Sequence, residues 1–397
     1  MKLSVAANWD FELLDGLAAI PQVTSVYAKL PFDLVGGGRP GEVLPSVTWE
    51  TAASYIRAAR ERGLSFCYLL NAPCLANLEQ SRSGKERLLD FVGRILELGV
   101  DSVSISNLAL VSIVRRNFPD LAIRGSVLSW PTNLPRLKHQ ASLGVAPLIL
   151  PYSEFNRDFD ALARIRSEIA CGVVLFANIA CIYHCSYLAE HAASVGHASQ
   201  EGAPPPDRPQ VIDSYLWQCT RQRLLEPHHL LMSRWIRPED LSVYEELGYD
   251  EFKIIDRSRS TGWLLRAARA YAERHYEGNL LDIVSLEMFG DPGGFHPSIR
   301  HETSKRLPLA PREDRRLSLR MLGLRERVLS LHVRIDNAAL SGFLHGFRSI
   351  DCKATVCHEC RYCHRYAERA VHYDQAAAAG LAAEIDDLLD EFAAAKW

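Results

Sequence analysis

The sequence predicts an α/β fold: a TIM-like (β/α)8 barrel with a small C-terminal cysteine-rich module. Three observations predict it. Eight short apolar runs alternate with helical patterns over residues 1–285. Recurring helix-to-strand junctions are short and glycine-marked, in GLSF, GVDSV, GVAPL and GYDEF. Four cysteines crowd a short stretch of the tail, DCKATVCHECRYC.

The strand expectations, in order, are Leu3–Ala7, Ser25–Leu30, Ser65–Asn71, Ser102–Ser106, Ala122–Leu128, Pro147–Pro151, Gly172–Ala177 and Glu251–Asp256. Helical patterns fit between most of them: Thr51–Arg62, Gly84–Leu98, Leu108–Phe118, Asn133–Leu143, Phe159–Ile169 and Pro238–Leu247. Glycine suits the helix C-caps because it accepts a left-handed backbone. A doubly wound open sheet is disfavoured, since no Gly-rich phosphate turn follows the first strand. Gly36–Gly38 lacks dinucleotide-fingerprint spacing and reads as loop. Two segments break the rhythm. Residues 178–228 form an insertion after the seventh strand and contain the proline-rich HASQEGAPPPDRP. Residues 286–397 open on MFGDPGGFHPS, carry the cysteine run and close on an alanine-rich helical pattern from Ala376, so they read as a separate module.

The 397 residues suffice for a large core, and 45 basic against 48 acidic residues give a net charge of -3. That balance predicts no strong nonspecific grip on nucleic acid or anionic membrane, although RNA stays open as a partner. No apolar run reaches membrane-spanning length, and MKLSVAANWDFELL lacks a signal-peptide layout, so a cytoplasmic protein without a membrane role is expected. In a reducing compartment ten cysteines point to metal ligands or buried thiols rather than a disulfide framework.

Cys352, Cys357, Cys360 and Cys363 are the most specific signal. Thiolates two residues apart on a tight turn converge on one centre, as in iron–sulfur ligation. A structural zinc site or disulfides are the bland readings. A second group is expected at the barrel rim, where strands end and chemistry collects. Cys181 and Cys185 follow the seventh strand, Cys219 lies beyond the proline loop, and Cys74 follows the third strand. Each could equally be a small buried hydrophobe, the reading preferred for Cys67 and Cys171. Another option makes Cys181 a nucleophile with His184 or His191 as base. Near it His184, Glu190 and His191 are candidates for acid–base work. Asn71, Arg124, Tyr152, Arg234, Lys253, Asp256 and Arg257 stand at or near strand ends as substrate-contact candidates. Arg234, Lys253 and Arg257 together would suit a carboxylate- or phosphate-bearing ligand.

Three stretches carry a family resemblance. GVDSVSISNLALVSIVRRNFPDLAIRGSVLSWPTNLPRLKHQASLGVAPLILPYSEF, VVLFANIACIYHC and MSRWIRPEDLSVYEELGYDEFKIIDRSRS resemble, in order, the barrel motifs of the collagenase-like peptidases, the thirty-second family of the unassigned "U" class. The resemblance covers residues 1–285. It implies a TIM-like barrel with a cysteine-bound four-iron–four-sulfur cluster at its mouth. It also implies kinship with RNA and ubiquinone hydroxylation proteins, some of which use prephenate as oxygen donor. Cys181 and Cys185 fall on the family's first two cysteines, at shorter spacing, and Cys219 on its third. Cys74 is the candidate fourth by its rim position. Asn107 replaces the motif aspartate, Tyr152 and Glu154 an Arg-Glu pair, and Asp256 a glutamate, whereas Lys253 is kept.

The resulting expectation is an iron–sulfur oxidoreductase, performing oxygen-independent hydroxylation of a small molecule, peptide or RNA. It would hold one or two 4Fe-4S clusters, with zinc open at the C-terminal site, and would take an anionic oxygen donor and a protein partner. The alternatives are a peptidase with structural metal and a non-catalytic redox partner or scaffold subunit.

Overall fold

The computed structural model describes residues 1–201, 213–290, 292–298 and 312–394. Most of the proline-rich stretch of the insertion therefore lies outside the described residues. Eight parallel strands form one sheet: Lys2–Ala6 (β1), Val23–Ala28 (β2), Ser65–Leu70 (β3), Ser102–Ile105 (β4), Ala122–Arg124 (β5), Leu148–Ile149 (β6), Val173–Phe176 (β7) and Glu251–Ile254 (β8). Their order is β5-β4-β3-β2-β1-β8-β7-β6. At the β5/β6 seam, the Gly125 N–H donates to the Pro147 carbonyl and the Ala146 N–H to the Ile123 carbonyl, both at 2.9 Å. The sheet thus curls into a nearly closed barrel wrapped by helices, the fold the sequence predicts. All eight strand expectations are met, with β5 and β6 shorter than the apolar runs suggested. The chain leaves the ladder after β5 because Ser126 caps a short 3-10 helix, Val127–Ser129.

Local chemistry explains the rhythm. Asp10, Thr48, Ser81, Asn107, Asn133, Asp158 and Ser260 each accept a hydrogen bond from a backbone N–H in the first turn of the helix they precede. Such caps satisfy donors that the helix itself cannot. At the other ends, the four junction glycines, Gly63, Gly99, Gly144 and Gly248, adopt φ of +76°, +81°, +79° and +87°. A Cβ would be strained in each of these left-handed positions.

The long β7-to-β8 connection carries the site. Asn178, fully buried just past β7, donates to the Ile255 and Ile283 carbonyls at 2.8 and 3.0 Å and accepts from the Ile255 N–H at 2.8 Å. Asn156 ties the Phe176 and Arg234 carbonyls together at 2.8 and 2.9 Å. The exit from β7 and the return toward β8 are therefore pinned to one another. Between them run the helices Leu188–His197, Ser214–Leu225 and His228–Met232. The tail folds back onto this connection. Its final helix, Gln375–Ala393, packs on Ser214–Leu225, and the Tyr373 hydroxyl donates toward the Arg223 and Leu224 carbonyls at 3.2 and 3.1 Å.

The seam depends on close backbone approach. A Cβ on Gly125 would sit 3.0 Å from the Ile149 nitrogen and 3.3 Å from the Leu148 Cα. Gly125→Ala is expected to cost about 1–3 kcal/mol by overpacking, seen as a lower urea midpoint. Gly93→Ala, in a helix with nothing within 4 Å of the new methyl, is expected to raise the midpoint, by about 0.5–1 kcal/mol.

Candidate functional site

The segment after β7 brings three predicted thiols together. Cys181 accepts hydrogen bonds from the Cys185 thiol and the Tyr152 hydroxyl, with the Arg223 guanidinium and the His191 ring close enough to act on its charge. The Cys185 hydrogen bond, Arg223, Tyr152 and His191 outweigh burial and hold Cys181 well below the ordinary thiol range. The proton stays on Cys185, whose own thiol is pushed up by donating to Cys181. Burial pushes Cys219 up to about 11 against the pull of Arg223. Cys219 donates to the Leu216 carbonyl at 3.2 Å. Cys74 is anchored elsewhere on the rim: its carbonyl accepts from the Gln200 side chain at 2.7 Å, at the far end of helix Leu188–His197.

His191 completes this corner. Its Nε2 lies 2.8 Å from Asp213 Oδ2, and its ring stacks on Tyr215. Burial works against the charged imidazole, but the Asp213 hydrogen bond and charge raise it above its ordinary value. A thiol held low beside an imidazole held high favours a thiolate–imidazolium pair. His184, at φ +53°, points its exposed ring onto Tyr183 instead. Glu190 is exposed on the helix surface. Sequence reasoning missed Asp213 and Arg223. Asp213 caps helix Ser214–Leu225, and Arg223 falls four residues after Cys219, on the same helical face.

The four tail cysteines line a single small pocket, open to solvent, with Arg157, Tyr183, Met232, Arg234 and Tyr362. Arg157 is buried among the Trp235, Phe343 and Phe347 rings. Its two amino groups donate to the Leu231 and Trp235 carbonyls, while its Nε has no partner. Arg234, also buried, stacks 3.9 Å over the Tyr183 ring with a backbone φ of +57°. Arg157 also acts on the charge of Asp240, whose carboxyl burial pushes up and the Arg237 and Arg157 guanidiniums pull down. Burial pulls Arg157 down to about 10 and pushes Cys363 up to about 11, each opposing the other. Two buried cations beside four thiols suit a negatively charged metal–thiolate group, and four cysteines are a ligand type that iron–sulfur and zinc both take, although no three of these sulfurs converge within 4.8 Å. Tyr183 joins the two cysteine groups: it lies between Cys181 and Cys185, and its hydroxyl reaches the Cys352 carbonyl at 3.5 Å.

The remaining predicted residues sit inside the barrel, apart from Arg234. Lys253 lies 3.7 Å from the Tyr27 ring centre, and burial pushes it down to about 8. Arg124 pairs with Glu251. Burial works against ionising Asp256, yet Arg39, Arg259 and Ser258 keep it below the usual carboxylate range. Arg257 is buried with Nη1 unpartnered, as is Asn71 Oδ1. Lys29 and Asp33, which sequence reasoning did not pair, form a buried ion pair at 3.1 Å, with the Tyr68 hydroxyl donating to Asp33 at 2.8 Å.

Alkylation with iodoacetamide tests the thiol geometry. Modification of Cys181, followed by peptide mass mapping, is expected to proceed with a midpoint below the ordinary thiol value. Arg223→Gln is expected to move that midpoint upward, because a cation that favours the thiolate is lost. An unchanged midpoint in that variant would remove Arg223 from the account.

No family model matches the chain. A protein of Methanocaldococcus jannaschii named as an uncharacterized protease is 26% identical over 346 residues, covering 87% of this chain and 88% of that protein. A solved U32 peptidase aligns with 64% of this chain and 92% of its own, at 17% identity and a TM-score of 0.49. An Anoxybacillus α-amylase aligns with 70% and 80%, at 9% identity and a TM-score of 0.37. These structural likenesses are too distant to carry function. The archaeal relative overturns the expected iron–sulfur hydroxylase: the protein that matches almost the whole chain is named a protease and not an oxidoreductase. The name of that relative goes no further than protease.

Proposed function

We propose that this chain is a peptidase whose nucleophile is Cys181, with His191 as its acid–base partner and Asp213 orienting the imidazole. The observation that carries the reading is the thiolate-favouring surroundings of Cys181 next to a His–Asp pair at 2.8 Å. The chemistry follows the logic of an activated nucleophile with an oriented base. The Cys181 thiolate attacks the scissile carbonyl carbon. The C–N bond breaks as the His191 imidazolium gives its proton to the departing amine. Water, losing a proton to His191, then attacks the thioester, and the thiol leaves as thiolate with release of the acid. The protease name of the archaeal relative supports the reaction class. In this reading the tail pocket holds a structural metal, zinc or an iron–sulfur cluster, on Cys352, Cys357, Cys360 and Cys363, and Arg157 and Arg234 balance its charge.

Cleavage of a quenched-fluorescence peptide library by the full chain is the test. Turnover is expected to survive air and iron chelation. Cys181→Ala and His191→Gln are each expected to lower kcat by roughly a thousandfold or more. Full activity in Cys181→Ala would sink the assignment. The pH profile is expected to be bell-shaped. The acid limb reports Cys181 losing its proton below the ordinary thiol value. The alkaline limb reports His191 losing its proton above the ordinary imidazole value.

Metal counting separates the two cysteine groups. Iron, sulfide and zinc are measured per chain after anaerobic purification. Cys360→Ala is expected to lose the metal and Cys185→Ala to keep it. Equal loss in both variants would assign the metal to the Cys181 corner as well.

A further inference from the structure

We propose that Glu226, His228 and His229 form a binding site for a divalent transition-metal ion, zinc foremost, at the corner between helices Ser214–Leu225 and His228–Met232. This site takes no ligand from either cysteine group, though it adjoins the tail pocket through His364, and it does not rest on the peptidase reading. Glu226 Oε2 lies 3.3 Å from His228 Nε2 and 3.2 Å from His229 Nε2. All three donor atoms fall within 4.8 Å of one another, the only such group of histidine, cysteine or acidic residues among the described residues. The two edges from Glu226 to the imidazoles have the right length. With ligand bonds of about 2.1 Å, neighbouring donors stand about 3.4 Å apart around a tetrahedral ion and about 3.0 Å around an octahedral one. The two edges to Glu226 lie between these limits, and the edge between the two imidazoles is no longer than 4.8 Å.

The donor types agree. Two imidazoles and one carboxylate are borderline ligands of the kind zinc takes when a fourth position is left for water or another group. The sequence Glu-Pro-His-His delivers all three within one turn, and Pro227 is the residue on which the chain turns from one helix into the next. The imidazoles are recessed, with side chains 12% and 18% exposed, while the Glu226 carboxylate stands at the open edge. An ion can therefore enter from solvent and settle against the rings. The tail contributes a further imidazole to the corner: His364 stacks on His228 with ring centres 3.6 Å apart. A bound ion would clamp the end of the helix that carries Cys219 and Arg223.

The bland alternative is that the carboxylate accepts a hydrogen bond from each imidazole and nothing binds. Cobalt and zinc titrations of the full chain, first stripped with a chelator, separate the two. Cobalt on thiolates gives strong sulfur-to-metal charge transfer, whereas cobalt on imidazole and carboxylate gives visible ligand-field bands without it. One equivalent of the second kind is expected in the wild type and in a Cys357→Ala/Cys360→Ala variant. His229→Ala is expected to abolish it. Glu226→Gln, which keeps an acceptor for both imidazoles and so preserves the fold, is expected to weaken zinc binding about tenfold or more. Zinc affinity unchanged in Glu226→Gln, or a wild type whose cobalt spectrum is thiolate-only, would overturn the site.

Discussion

Three buried guanidinium groups lie beside cysteine sulfurs, and the rest of the site follows from that constraint. Burying a cation costs several kcal/mol unless an anion answers it. Arg223 is 2% exposed, and its Nε and Nη2 find no hydrogen-bond partner. Arg157 and Arg234 are equally enclosed at the tail pocket. Thiols stand close to two of them: Cys181 and Cys219 by Arg223, Cys363 and Cys352 by Arg157, with the Asp240 carboxylate also within reach of Arg157. The arginines make thiolates affordable, and the thiolates make buried arginines tolerable.

The two sulfur groups differ in how that charge is used. Around Cys181 the donors converge on one sulfur, and a neighbouring thiol keeps the proton. That asymmetry suits a single nucleophile. In the tail, four thiols share one pocket and two cations, and Cys357 and Cys363 are both raised by burial and by neighbouring sulfurs. That arrangement suits a group that draws charge from all four at once. The Tyr183 hydroxyl, reaching the Cys352 backbone from between Cys181 and Cys185, couples the positions of the two.

The barrel interior plays a different part. Lys29–Asp33 and the Arg39–Asp256–Arg259 set pair most of their charge internally. Ser258 and Ser285 hydroxyls complete Asp256. These ion pairs and the hydrogen bonds on Asp256 hold the strand ends that bear the connection after β7. Among the described residues, Arg257 Nη1, Asn71 Oδ1 and the three Arg259 guanidinium nitrogens are buried there without hydrogen-bond partners, Arg259 being held by its 3.6 Å ion pair with Asp256.

The sequence by itself determined the barrel. Hydrophobic period, capping side chains and four junction glycines are local signals, and each acts within a few residues of where it is written. It also determined the tail cysteine group, because four thiols within twelve residues need little tertiary help to meet. The pairing of Cys181 with Arg223, Tyr152 and His191, and the approach of His191 to Asp213, were decided by tertiary structure alone. These residues come from separate stretches of chain, and their meeting depends on the Asn178 and Asn156 hydrogen bonds and on the final helix pressing Ser214–Leu225 against the barrel. Arg234 shows the same limit from the other side. In sequence it belongs with Lys253 and Arg257 near the last strand, yet the chain turns through a left-handed residue at Arg234 and carries its guanidinium out to the tail pocket. Spacing along the chain carries no information about such a turn, since it is set by what the neighbouring segments bury.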